Sequence, residues 1–89
     1  MTEGKIKYKD NDAKILMRGT KVEVPGWNGE LFVSVIQYGE EGAQKFDVVP
    51  DSTDPADLDD LPEVKTFPNQ SQAMNHFLKL ENNKERWKK

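Results

Sequence analysis

The side chains that most enzymes use for proton transfer or nucleophilic attack are scarce in this chain. It has one histidine, His76, and no cysteine among its 89 residues. A single imidazole, with no cysteine and no second histidine in the chain, cannot form a histidine–cysteine pair or a histidine-based transition-metal site within one chain. The chain also lacks a phosphate-binding glycine motif ahead of a helix. We therefore expect a binding protein without catalytic residues, metal or cofactor.

Carboxylates are concentrated between residues 50 and 63, where they could bind a cation or a basic partner. Counting from Asp51, the sixth residue is Ala56 rather than glycine and the twelfth is Pro62 rather than glutamate, so the spacing does not fit an EF-hand calcium loop. Residues 25–63 carry ten acidic groups and one basic group, whereas the segments on either side are net positive. Such an uneven field accelerates association with a basic surface. The residues assigned to this first candidate site are Asp57, Leu58, Asp59 and Asp60.

Basic and aromatic residues in the N-terminal third form a second candidate site. Lys5, Lys7 and Lys9 alternate with apolar residues, so a strand would place the three ammonium groups on one face. The same alternation is typical of an edge strand whose lysines prevent pairing with other chains. A cationic groove with aromatic rings on which bases stack is what binding of single-stranded nucleic acid requires. The residues assigned to this second site are Lys5, Lys7, Lys9, Arg18, Lys21 and Trp27.

Hydrophobic periodicity predicts the strands that must position these residues. In residues 31–38 apolar side chains occupy both alternating sets of positions, which is typical of a central strand covered on two sides. The glycine-containing loop 39–43 joins it to a second β-rich run, 45–49, and the two predict a hairpin. Gly19 predicts another tight hairpin, between strands 14–17 and 21–24.

Two helical segments are predicted after these strands. The acidic segment 50–63 has an N-cap at Asp54 and a proline at the first helical position, which predicts a short helix with Leu58 and Leu61 inward and its aspartates outward. After a short strand at 64–67, Asn69 or Ser71 caps a helix over about 70–82, which reaches 88 if it persists through two asparagines. Its apolar stripe consists of Ala73, Met74, Phe77, Leu78 and Leu80.

The fold predicted from these elements is a single α+β domain over residues 1–89. It has four to six strands within 4–49 and 64–67 in a mostly antiparallel meander, an acidic helical crossover at 50–63, and one C-terminal helix. One helix covers one face of a sheet, so we expect a homodimer through the other face. No apolar run approaches the roughly 18 residues of a membrane span, and no signal-peptide pattern is present, so we expect a cytoplasmic protein.

Part of this pattern resembles nucleic-acid-binding domains. The chain resembles the β-meander-plus-helix of transcriptional-coactivator-type single-strand DNA binders. The resemblance lies in Gly26-Trp27, the runs 31–33 and 45–48, and the final strand and helix. The junction formed by Lys65-Thr66-Phe67, Ser71, Ala73 and Leu78 is similar to that of integrase arm-binding domains. Either resemblance implies DNA binding. The acidic segment between residues 49 and 64 departs from both families.

Two hypotheses of function follow from the sequence. The first is a small non-enzymatic regulator or inhibitor that presents its acidic segment to a basic, nucleic-acid-binding protein and so acts as a DNA mimic. A phage protein that blocks a host factor is one example of this class. The second is a protein that binds single-stranded nucleic acid through its lysine-rich strand and Trp27. The net charge of −3 favours the first.

Overall fold

A computed structural model describes residues 5–40 and 42–87 of the chain, and the side chains from residue 7 onward. Within these residues the chain forms an antiparallel sheet and one C-terminal α-helix, which confirms the predicted α+β fold. The strands are β1 (Lys5–Tyr8), β2 (Asn11–Arg18), β3 (Val22–Glu23), β4 (Glu30–Tyr38), β5 (Lys45–Ser52) and β6 (Lys65–Phe67). The helix α1 is Gln70–Asn82, and 3₁₀ helices span Pro55–Asp60 and Lys84–Arg86.

The sheet is a meander with the strand order β1-β2-β4-β5-β6, and β3 pairs with β4 beside β2. Helix α1 packs across β4, β5 and β6. We call the side of the sheet that α1 covers the helix face and the opposite side the uncovered face. Every strand pairing among the described residues is antiparallel, including that of β5 with β6, which the longer acidic crossover joins.

Strand β4 is the centre of the sheet, as its two apolar faces predict. Leu31, Val33 and Val35 are fully buried in the core on the helix face. Ile36 and Tyr38 point the other way and form a smaller buried cluster on the uncovered face. Because side chains alternate along a strand, one nine-residue segment supplies both clusters.

The predicted hairpin between residues 14–17 and 21–24 is wrong. Strands β2 and β3 pair with the same edge of β4, with Arg18 opposite Ser34 and Val22 opposite Leu31. They are one strand interrupted at residues 19–21, where the amide of Gly19 donates to the carbonyl oxygen of Val33 at 2.7 Å. Gly19 was a misleading signal for a hairpin, because a glycine also permits a strand to break its pairing with a neighbour and resume it in the same direction.

The end of the chain secures this interruption. The buried Lys84 ammonium donates to the carbonyl oxygen of Thr20 and pairs with the Glu81 carboxylate, Nζ to Oε1, at 2.6 Å. A lysine this deeply buried needs such partners, because an unpaired charge is costly away from water. The C-terminal residues therefore hold the N-terminal third of the sheet in place.

Helix α1 begins as predicted and ends without the longer extension. The Asn69 side chain caps it, accepting from the Gln72 amide at 2.9 Å. After Asn82 the chain turns through the 3₁₀ helix, so Trp87 is buried and its Nε1 donates to the Leu80 carbonyl at 3.0 Å. The inward prediction for Leu78 is wrong, since it is 52% exposed. The helix buries a face centred on residues 73, 77 and 80, and position 78 lies to one side of it.

Candidate functional site

The acidic crossover begins at the end of β5 and forms the 3₁₀ helix Pro55–Asp60. Asp54 is its N-cap, as predicted, and accepts a hydrogen bond from the Ala56 amide at 2.9 Å. Pro55 suits the first helical position. Proline has no amide hydrogen, and an amide hydrogen at this position would have no acceptor within the helix. The helix packs against the end of the sheet formed by the β3–β4 loop and the last residues of β5.

The outward prediction for Asp57 is wrong, because this side chain is only 3% exposed. Its carboxylate accepts from the backbone amides of Asn28 and Gly29, at 3.0 and 2.9 Å, from the Asn28 side chain at 3.2 Å and from the Ser52 hydroxyl at 2.6 Å. The bond from Ser52 is the main cause of a lowered pKa for Asp57, and the Asn28 and Gly29 donors add to it against the effect of burial. Asp57 therefore anchors the crossover to the β3–β4 loop, and its assignment to the partner-binding site stays a prediction.

The inward prediction for Leu58 is also wrong. It is 51% exposed, whereas Leu61 is buried as expected. A 3₁₀ helix has three residues per turn, so with Asp57 facing the sheet the next residue points to solvent. Leu61 reaches the core because it follows the helix in an extended conformation. Leu58 is thus available for contact with another molecule.

The exposed part of the crossover combines negative charge with apolar side chains. Asp59 and Glu63 are exposed, Asp60 is half-buried, and Leu58 and Val64 are 51% and 44% exposed. Among residues 5–40 and 42–87 the ion pairs are Lys7–Asp12, Lys9–Asp47 and Lys84–Glu81, so no lysine or arginine there forms an ion pair with a carboxylate of the crossover. We define the acidic surface as Leu58, Asp59, Asp60, Glu63 and Val64.

A cleft of about 640 Å³ lies beside the crossover at the tip of the β3–β4 hairpin. Two contacts fix its wall: the Glu30 amide donates to the Thr53 hydroxyl at 2.8 Å, and the Thr53 amide donates to the Glu30 carbonyl at 3.0 Å. Half-buried Trp27 lines it and also packs against the core of the helix face. This hairpin cleft is lined by Glu23, Val24, Pro25, Trp27, Asn28, Gly29, Glu30 and Thr53.

Two of the six residues of the predicted nucleic-acid site come together on the uncovered face. The Arg18 guanidinium lies 6.0 Å from the centre of the Phe32 ring, and the Lys21 ammonium lies 5.5 Å from it. Both contacts are within the range of a cation–π interaction. Trp27 does not join this group, because it packs against the core of the helix face from the hairpin loop.

The prediction that Lys5, Lys7 and Lys9 share one strand face is wrong. Lys9 is the first residue of the two-residue β1–β2 turn, where its φ is 50°. From there its ammonium reaches the uncovered face and lies 3.1 Å from the Asp47 carboxylate. Lys7 projects from the helix-face side of β1 and pairs with Asp12 at 2.7 Å. Lys5 belongs to β1, and its side chain lies outside the described residues.

Sequence reasoning missed a polar cluster around Asp47 on the uncovered face. This fully buried carboxylate accepts from Thr66 and Tyr8 at 2.6 Å each and from Tyr38 at 3.0 Å, and Lys9 pairs with it. Burial opposes ionisation of Asp47, but the hydrogen bonds from Thr66, Tyr8, Lys9 and Tyr38 outweigh it and lower its pKa. Burial, followed by the bond to Asp47, raises the pKa of Tyr8 well above its usual value. The only signal in the sequence was an aspartate inside an apolar strand.

Within the part of the chain that the structure describes, no group of three or more histidine or acidic side chains is placed to hold a metal ion. No helix there is long and apolar enough to cross a bilayer. Comparisons of the chain with protein-family models, curated proteins and solved structures found no match. Neither resemblance to DNA-binding domains is therefore supported by a relative.

Proposed function

We propose that this protein is a small regulator or inhibitor that binds the basic, nucleic-acid-binding surface of another protein through its acidic surface. One observation carries the proposal: within the described residues, the carboxylates of exposed Asp59 and Glu63 and of half-buried Asp60 have no internal ion pair. Lysine and arginine residues are numerous in the chain, so this separation of charge is not a consequence of composition.

The apolar members of the acidic surface give such a contact a source of affinity. Exposed carboxylates on their own mainly raise the rate of encounter and select a positive partner. Leu58 and Val64 flank the carboxylates and would lose solvent contact in a complex, which adds hydrophobic stabilisation. The buried Asp57 holds the segment on the sheet, so less conformational entropy is lost on binding.

The test compares two variants of equal net charge. The first carries Asp59→Asn, Asp60→Asn and Glu63→Gln, which neutralise the acidic surface. The control carries Asp10→Asn, Glu40→Gln and Glu85→Gln, at exposed positions outside the crossover. Each protein is used to capture partners from host extract, and the captured proteins are then challenged with duplex DNA. We expect the wild type and the control to retain basic proteins that DNA displaces, and the first variant to lose them.

Equal capture by the two variants would contradict the proposal. Capture of proteins that DNA cannot displace would also contradict it, because the acidic surface would then not occupy a nucleic-acid site. Asp57 is left unchanged in both proteins, since its replacement disturbs the fold of the segment and would confuse the comparison.

A second candidate function is binding of single-stranded nucleic acid on the uncovered face. The observation that favours it is the placement of Arg18 and Lys21 against the ring of Phe32. Stacked bases and phosphates could replace these internal contacts. Titration with labelled single-stranded oligonucleotides at low and moderate salt tests it. Binding that weakens with salt and is lost in an Arg18→Gln, Lys21→Gln variant would support this function over the first.

A further inference from the structure

We propose that the hairpin cleft binds an arginine side chain of the partner protein. This inference rests on the proposed function and names the group on the partner that the site would select. It requires a cavity of suitable size whose lining combines negative charge with an aromatic side chain. The cleft has a volume of about 640 Å³, and its lining includes two glutamates, a proline and a tryptophan.

The two glutamates of the cleft are directly opposite each other on neighbouring strands. Glu23 of β3 pairs in register with Glu30 of β4. Side chains in such a position have Cβ atoms about 5 Å apart, and like charges there are destabilising. Neither carboxylate takes part in an ion pair among residues 5–40 and 42–87. A cation placed between them converts this repulsion into two attractive contacts.

The tryptophan favours a guanidinium over an ammonium group. Trp27 and Pro25 line the cleft together with both glutamates. A guanidinium is planar, stacks on an indole ring and directs several N–H donors in its plane toward carboxylates. An ammonium group is more strongly hydrated and loses more on entering such a cleft. The arrangement of one indole and two carboxylates therefore selects arginine.

The cleft is held in shape before any partner arrives. Asp57 binds the amides of Asn28 and Gly29 on one side of the loop. A Cβ atom at Gly29 would lie 2.6 Å from the backbone nitrogen of Asp54, so the loop and the crossover are in direct contact there. A preformed site loses little entropy on binding. The same contacts place the cleft beside the acidic surface, so one partner could occupy both.

The test uses peptides with a single basic side chain, acetyl-Gly-Arg-Gly-amide and acetyl-Gly-Lys-Gly-amide. Each is titrated into the full-length ¹⁵N-labelled protein, and the shifts of the Trp27 indole and the Asn28 and Gly29 amides are followed. We expect the arginine peptide to move these signals, and the lysine peptide to bind at least several-fold more weakly. In a Glu23→Gln, Glu30→Gln variant we expect affinity for arginine to fall about tenfold or more, as loss of two charged contacts predicts.

Two controls keep this inference separate from the proposed function. The variant with Asp59→Asn, Asp60→Asn and Glu63→Gln should bind the arginine peptide as the wild type does, whatever its effect on partner capture. Glu30→Gln alone should raise the melting temperature by about 2–4 °C, because it removes the cross-strand repulsion. Unchanged signals with the arginine peptide, equal binding of the lysine peptide, or full arginine affinity without both glutamates would each overturn the inference.

Discussion

The two buried aspartates of this protein differ in what satisfies them. Asp47 lies in β5 and is bound by side chains of β1, β4 and β6 and of the β1–β2 turn. Asp57 lies in the crossover and is bound by two backbone amides and one side-chain amide of a single loop, and by a hydroxyl from β5. Asp47 thus joins strands that are distant in sequence, whereas Asp57 shapes a local surface. The first contributes mainly to the stability of the sheet and the second to the geometry of the candidate site.

The largest predicted effect comes from removing the Asp47 carboxylate. Asp47→Ala leaves the hydroxyls of Tyr8, Tyr38 and Thr66 without their shared acceptor and removes the buried partner of Lys9, and we expect a loss of about 3 kcal/mol. For a domain of this size the melting temperature should fall by roughly 15 °C. Thermal unfolding followed by circular dichroism measures this change.

The control for Asp47→Ala is Asp51→Ala on the same strand and the same face. Asp51 is half-buried, and its carboxylate accepts from the amide of the next residue, Ser52, at 2.8 Å. We expect its replacement to change stability by about 0.5 kcal/mol or less. Similar losses of stability in the two variants would show that the hydroxyl groups around Asp47 contribute little to the stability of the sheet. The contrast between Asp47 and Asp57 would then be wrong.

A smaller effect is predicted for Asp57→Asn. The amide side chain keeps the shape of the carboxylate but turns one acceptor into a donor. That donor faces either the Asn28 amide, which binds Oδ1, or the Gly29 amide, which binds Oδ2. We expect a melting temperature between those of the wild type and Asp47→Ala. Hydrogen exchange should become faster at Asn28 and Gly29 and stay unchanged in β1 and β6. Faster exchange spread over the whole sheet would mean that Asp57, too, stabilises the fold globally.

The smallest predicted effect is a dependence of stability on pH. Both aspartates have a lowered pKa in the folded protein, so their contribution is complete above the unfolded value of about 4 and is lost as pH falls through the folded values. Urea unfolding between pH 2.5 and 6 should show decreasing stability below about pH 4. We expect a flatter profile in Asp47→Asn and in Asp57→Asn. A wild-type profile that stays level down to pH 2.5 would contradict the ionised state of both groups.

The fold was predictable because its main signals are local. The apolar alternation in residues 31–38 predicted β4, and a cap at Asn69 or Ser71 followed by an apolar stripe predicted α1. The partners of the strands were less predictable, since the interruption at Gly19 depends on Lys84, which is far away in sequence. The sequence also could not separate Asp57 from Asp59. Both are aspartates in one acidic run, and only the loop that approaches from residues 28 and 29 distinguishes them.

The contact between Lys84 and Thr20 has a consequence for biosynthesis. Lys84, which follows α1, completes the edge formed by β2 and β3, and Trp87 is part of the core on the helix face. While the ribosome still holds residues 80–87 in its exit tunnel, the emerging meander lacks both. We expect the nascent chain to stay open to chaperones and proteases until residues 84–87 have left the tunnel, and to reach its native state only then.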